Sequence, residues 1–164
     1  MERRIRSINT KQIAQPDSPS AGVKRDVPDA IKNALTNGPL GKKYDFSLRV
    51  NPSYLAGDFN GDGKMDTAVL IKERSSGKFG IAVVHGGIER ITILGAGISI
   101  GHGGEDFEWM DSWRMYSKTR AGRVRGETGL PHLGGDALFV EKSEAASALI
   151  YWNGKRYVWS QQGD

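Results

Sequence analysis

At 164 residues, with 38% hydrophobic and 26% charged residues, the chain has the size and composition of one globular domain with its own core. No stretch approaches the ~20 apolar residues of a membrane-spanning helix. The net charge of +4 is local: residues 1–25 hold six Lys and Arg against Glu2 and Asp17, leaving 17 charges of each sign over 26–164. A neutral body argues against a nucleic-acid partner, which would need its basic surplus on the folded surface. There is no cysteine, which is compatible with any compartment.

Residues 1–25 mix charges with Pro16, Ser18, Pro19, Ser20 and Gly22 and show no apolar periodicity. They predict a flexible basic arm ahead of a single β-rich domain over 26–164. The opening Met-Glu-Arg-Arg-Ile-Arg has no apolar run behind it, so no signal peptide is read there. Either the protein is intracellular, or its leader is missing from this chain.

One helix is expected, from Asp26 to Gly38. Pro28 suits its first turn, Asp26 and Asp29 complement the positive end of the dipole, and Ile31, Ala34 and Leu35 share a face. Asn37-Gly38-Pro39 predicts a left-handed stop. Strands follow at Phe46–Val50, Thr67–Lys72, Phe79–His85 and Glu89–Leu94, the last three as a meander. The Gly-rich middle, about 95–135, carries no clear pattern beyond the aromatic patch Phe107–Tyr116. Leu138–Glu141, Ala148–Trp152 and Arg156–Ser160 read as strands. Asn153-Gly154 predicts a two-residue turn that sets Trp152 opposite Lys155, Ile150 opposite Tyr157 and Ala148 opposite Trp159. The expected class is α+β, mostly antiparallel β: a meander plus a C-terminal hairpin, with one N-terminal helix.

One segment carries recognisable chemistry. Residues 57–70 read Gly-Asp-Phe-Asn-Gly-Asp-Gly-Lys-Met-Asp-Thr-Ala-Val-Leu. Oxygen-bearing side chains fall at Asp58, Asn60, Asp62 and Asp66, and Lys64 would offer its backbone carbonyl. Calcium takes about six to eight oxygens from such groups, and alternate spacing on a curled backbone aims three side chains at one centre. Gly61 and Gly63 permit the curl. Three carboxylates nearly balance a divalent ion and repel one another without it. Magnesium holds its waters too firmly for such a cage, and zinc would want His or Cys. The competing reading is an Asx-rich turn that holds no ion.

Asp58–Asp66 followed by an apolar strand resembles the calcium loop of FG-GAP and VCBS-type repeats, known from integrin α-chain propellers and many bacterial surface proteins. An EF-hand would instead carry Glu where Val69 stands and a helix after the loop. The resemblance implies Asp58, Asn60, Asp62, Lys64 and Asp66 as ligands of Ca2+. It covers about 14 residues and occurs once, so a full propeller, which needs several four-stranded blades, is not implied. Extracellular calcium modules tolerate affinities around 10⁻⁴–10⁻³ M, too weak to fill in cytosol. A periplasmic or secreted home is therefore expected, with the cytoplasm as the other option.

Other constellations are weaker. His85, His102 and His132 lie apart with no ligand spacing. Glu127, His132 and Asp136 lack a nucleophile on a recognisable elbow, so no catalytic residue is assigned. Arg114, Lys118, Arg120, Arg123 and Arg125 form a basic run suited to an anionic partner. Glu105, Asp106, Glu108 and Asp111 beside Trp109 and Trp113 suit a sugar site. Two functions follow. The first is a calcium-stabilised, non-enzymatic binding module of the bacterial envelope or secreted space, with an unidentified protein or glycan partner. The alternative is a hydrolase of cell-wall or other polysaccharide working through 105–113.

Overall fold

The structure is a computed structural model that describes residues 27–87, 90–119 and 131–163. The expected arm, Arg120, Arg123, Arg125 and Glu127 all lie outside the described residues. Two antiparallel sheets hold nearly all the regular structure. The first contains β1 (Tyr44–Phe46), β2 (Tyr54–Gly57), β3 (Asp66–Glu73), β4 (Phe79–Val84) and β5 (Ile91–Gly95). β3 is its centre: β4 pairs along one edge, and β1 and β2 share the other, β2 opposite Asp66–Val69 and β1 opposite Ile71–Glu73. The second sheet runs in sequence order through β6 (Ser112–Tyr116), β7 (Ala137–Lys142), β8 (Ala146–Trp152) and β9 (Tyr157–Gly163). The described residues are mostly antiparallel β and form neither a closed barrel nor a propeller.

Alternation along the strands builds the core. Ala68 and Leu70 of β3, with Ile81 and Val83 of β4, face Leu138, Val140, Ala148 and Ile150 of the second sheet. Phe59, Phe107, Met110 and Trp113 fill the space between them. The intervening residues Val69, Ile71 and Ala82 point the other way, under α1 (Asp29–Thr36), whose Ile31 and Leu35 cover them. β3 is thus buried on both faces, which explains its nearly continuous apolar sequence. Truncating Leu35 to Ala would cost roughly 2–4 kcal/mol.

Several local expectations are corrected. The helix begins at Asp29, with Pro28 at its N-cap. It ends on right-handed backbone at Asn37 (φ −97°), passes through extended backbone at Gly38 (φ −86°, ψ −179°) and runs into a 3₁₀ turn at Pro39–Lys42. A left-handed stop is unnecessary because Pro39 opens a new tight turn in place of the next α-helical residue. The first strand is Tyr44–Phe46 rather than Phe46–Val50, and β2 and β6 arise where no strand was expected.

The C-terminal hairpin keeps its facing but shifts its register by two. Trp152 sits opposite Tyr157, Ile150 opposite Trp159 and Ala148 opposite Gln161. Asn153 does not adopt positive φ; Gly154 alone of the turn does. The Asn153 side-chain oxygen instead accepts the N–H groups of Lys155 and Arg156, both at 3.0 Å, closing a four-residue connection. An even shift preserves which side chains face the core.

Candidate metal centre

The loop between β2 and β3 is anchored at its far end by Asp66, which is fully buried. Asp66 Oδ2 accepts the backbone N–H of Phe59 at 2.9 Å and of Asn60 at 3.3 Å. Its Oδ1 accepts the N–H of Gly86, at the end of β4, at 2.9 Å. One carboxylate therefore ties the start of the loop, the start of β3 and the β4 turn. Such charge-assisted bonds are shorter and stronger than neutral ones.

Within the loop, each acidic or amide side chain also turns toward backbone. Asp58 Oδ2 accepts the Gly63 N–H at 2.9 Å, Asn60 Oδ1 the Asp62 N–H at 3.1 Å, and Asp62 Oδ1 the Lys64 N–H at 2.8 Å. The Lys64 bond holds the exposed Asp62 carboxyl below the usual carboxylate range. Gly61 and Gly63 take φ of 75° and 83°, the left-handed backbone the curl requires. Gly61 also lies flat against Gly134, where a β-carbon would meet the Gly134 carbonyl oxygen at 2.7 Å.

Three groups outside the loop complete the site. Asp136 accepts the Asp58 N–H at 3.0 Å through Oδ2 and the Lys118 N–H at 3.0 Å through Oδ1, and its own N–H bonds the Asp58 carbonyl at 2.7 Å. His85 is buried; its Nδ1 lies 3.3 Å from Asn60 Nδ2 and 3.7 Å from Asp66 Oδ1, and its Nε2 3.1 Å from the Thr92 hydroxyl. Burial pushes its pKa down, against the pull of Asp66. Tyr157 stacks on His85 with ring centres 6.0 Å apart, and burial pushes its phenol pKa up. Sequence reading placed His85 and Asp136 only in other groupings and tied none of the three to the loop. Period-two alternation could have found His85, which shares its face with Ile81 and Val83.

Two atoms stand out. Asp58 Oδ1 and the Tyr157 hydroxyl are buried with no hydrogen-bond partner among the described residues. Orphaned polar atoms of this kind are uncommon in folded proteins. Among the described residues no three His, Asp or Glu side chains converge closely enough to hold an ion as they stand. That count leaves out the Asn60 amide and the Lys64 carbonyl. Asp58, Asp62 and Asp66 place three carboxylates in one loop, with Lys118 Nζ at 3.8 Å from Asp58 Oδ2 as the single ammonium within salt-bridge reach among the described residues.

The remaining candidates are dispersed. Arg114 lies over the Phe139 ring at 3.8 Å and 3.8 Å from Glu141, while Lys118 sits beside Asp58. In the acidic–aromatic stretch, Glu105 pairs with Lys78, and Asp106 Oδ1 accepts the N–H groups of Phe79 and Glu108, both at 3.0 Å. Asp111 Oδ1 accepts the Ser143 N–H at 2.8 Å and its hydroxyl at 2.9 Å. Trp113 is buried and donates to the Pro52 carbonyl at 2.7 Å. No family model matches the chain, and no curated protein or solved structure matches it either.

Proposed function

We propose that the chain is a calcium-stabilised, non-enzymatic binding module of the bacterial envelope or secreted space. The carrying observation is Asp58 Oδ1, a carboxylate oxygen buried in the loop with nothing to accept from among the described residues. A carboxylate oxygen of that kind is costly to bury unless a cation completes it. Asp58, Asn60, Asp62 and the Lys64 carbonyl supply hard oxygen ligands of the type calcium takes. Asp66 already serves three backbone N–H groups and would contribute through a remaining lone pair. Closing the cage requires Asp58 and Asp62 to draw together. Asp62 is exposed, which leaves it room to move.

The ion's role in this reading is structural: it neutralises the loop and pins the start of β3. Thermal melts of the full chain with calcium and with a chelator test it. A site of 10⁻⁴–10⁻³ M affinity at about 10 mM calcium adds about 1.4–2.7 kcal/mol of stability. That corresponds to an upward shift of roughly 3–10 °C for a domain of this size. Identical melting in both conditions would reject the reading.

A further inference from the structure

A groove of about 500 Å³ opens between the candidate calcium loop and the tip of the C-terminal hairpin. Its walls include Asn60 and Gly61 of the loop, His132, and Tyr151, Trp152 and Asn153 at the end of β8. Its volume falls within the range of about 300–1,000 Å³ typical of small-molecule sites. Among the described residues no Asp, Glu, Lys or Arg lines it, although such residues make up 26% of the chain.

Asn60 is engaged within the loop, but two side-chain donors of the hairpin have no partner among the described residues. The chain has four tryptophans. Trp109 donates its indole N–H to the Gly103 carbonyl at 3.4 Å, Trp113 to the Pro52 carbonyl at 2.7 Å, and Trp159 to the Gln161 side chain at 3.0 Å. The Trp152 indole N–H has no partner among the described residues. Asn153 uses its oxygen to cap the turn, and its Nδ2 has no partner among the described residues. The indole itself is held in place, edge-on to Tyr157 at 5.2 Å and with the Arg90 guanidinium 5.5 Å from its centre.

We infer that this groove binds a neutral saccharide of one or two pyranose rings. A pyranose offers an apolar C–H face to an aromatic ring and hydroxyls to amide and indole donors. Trp152 and Tyr151 supply the first, and Asn153 Nδ2, the Trp152 N–H and His132 the second. With no charged side chain lining it among the described residues, the groove offers an ionised ligand no counterion there for its desolvation. The inference rests on the binding-module reading and extends it: Asn60 and Gly61 form one wall, so an ion in the loop would also set that wall's position.

The test titrates the calcium-loaded full chain with cellobiose, maltose, lactose and N,N′-diacetylchitobiose, followed by saturation-transfer NMR and tryptophan emission. Polygalacturonate serves as the charged control. The expected result is saturable binding of at least one neutral disaccharide below about 10 mM, weakened about tenfold or more by Trp152→Ala. Asn153→Asp keeps the oxygen that caps Lys155 and Arg156 while removing the Nδ2 donor. It should weaken binding several-fold at an unchanged melting temperature, and it decides the matter if Trp152→Ala fails to fold. Absence of binding by all four sugars, binding indifferent to Asn153→Asp, or preference for the polyanion overturns the inference. Repeating the titration with chelator separates the two readings. A calcium-dependent melt without sugar binding sinks only the groove, whereas sugar binding with a calcium-indifferent melt supports the groove and sinks only the metal site.

Discussion

Residues 58–66 and 105–113 are both nine residues long and acid-rich, with three and four carboxylates respectively. Composition hardly distinguishes them, yet the fold treats them differently. In 105–113 the carboxylates of Asp106 and Asp111 terminate backbone N–H groups at the ends of β4 and β7, and Glu105 meets a lysine. In 58–66, Asp66 does comparable work, but Asp58 keeps one buried oxygen, Oδ1, that has no donor among the described residues. A functional oxygen is recognised by what the backbone fails to give it. The count of acids in a window says little about that.

Four substitutions would break or sharpen this contrast. The largest effect belongs to Asp66→Ala, which strands three backbone N–H groups in the interior. We expect a loss of roughly 3 kcal/mol or more in denaturant unfolding, with or without calcium. Asp106→Ala, which frees the Phe79 and Glu108 N–H groups nearer the surface, should cost about 1–2 kcal/mol and leave any calcium response intact. A calcium response lost with Asp106 would erase the distinction between the two stretches. Asp62→Ala should change the chelated protein by less than about 1 kcal/mol, since the residue is exposed, yet abolish the calcium-induced rise in melting temperature.

The smallest effect is one of pH. Asp111 is held below the usual carboxylate range, first by the Ser143 N–H and then by the Ser143 hydroxyl and Lys142. Its carboxylate therefore stabilises the fold fully above the unfolded value of about 3.9, and that contribution is lost as pH falls through the lower folded value. Asp111→Asn should flatten acid unfolding slightly in that window. An unchanged acid limb would assign its hydrogen bonds no net weight.

Much of this fold was legible because its strands are either short apolar runs between turns, as in β3 and β4, or alternate, as in β5. β3, β4, β5, β7 and β8 lie within a few residues of their expected positions. β2 was hidden: Tyr54–Gly57 is four residues long, sits between Pro52 and a glycine-rich loop, and exists only because β3 offers it an edge. β6 was hidden by its neighbours, since Trp113 and Met115 read as part of a general aromatic patch. The hairpin register slipped because local turn chemistry competes: Asn153 caps with its side chain where the turn rule would have it adopt positive φ. In the candidate site, the spacing of oxygen-bearing residues was visible. The support from Asp136, His85 and Tyr157 was not, because it depends on contacts across two sheets that no local pattern encodes.

Calcium titration calorimetry on the chelator-stripped full chain, run beside Asp62→Ala, probes the orphaned Asp58 oxygen most directly. The account predicts saturable heat with one ion per chain and an affinity of about 10⁻⁴–10⁻³ M, absent from the variant. A flat trace for the unsubstituted chain would contradict it, and the loop would then be an Asx-capped turn and nothing more.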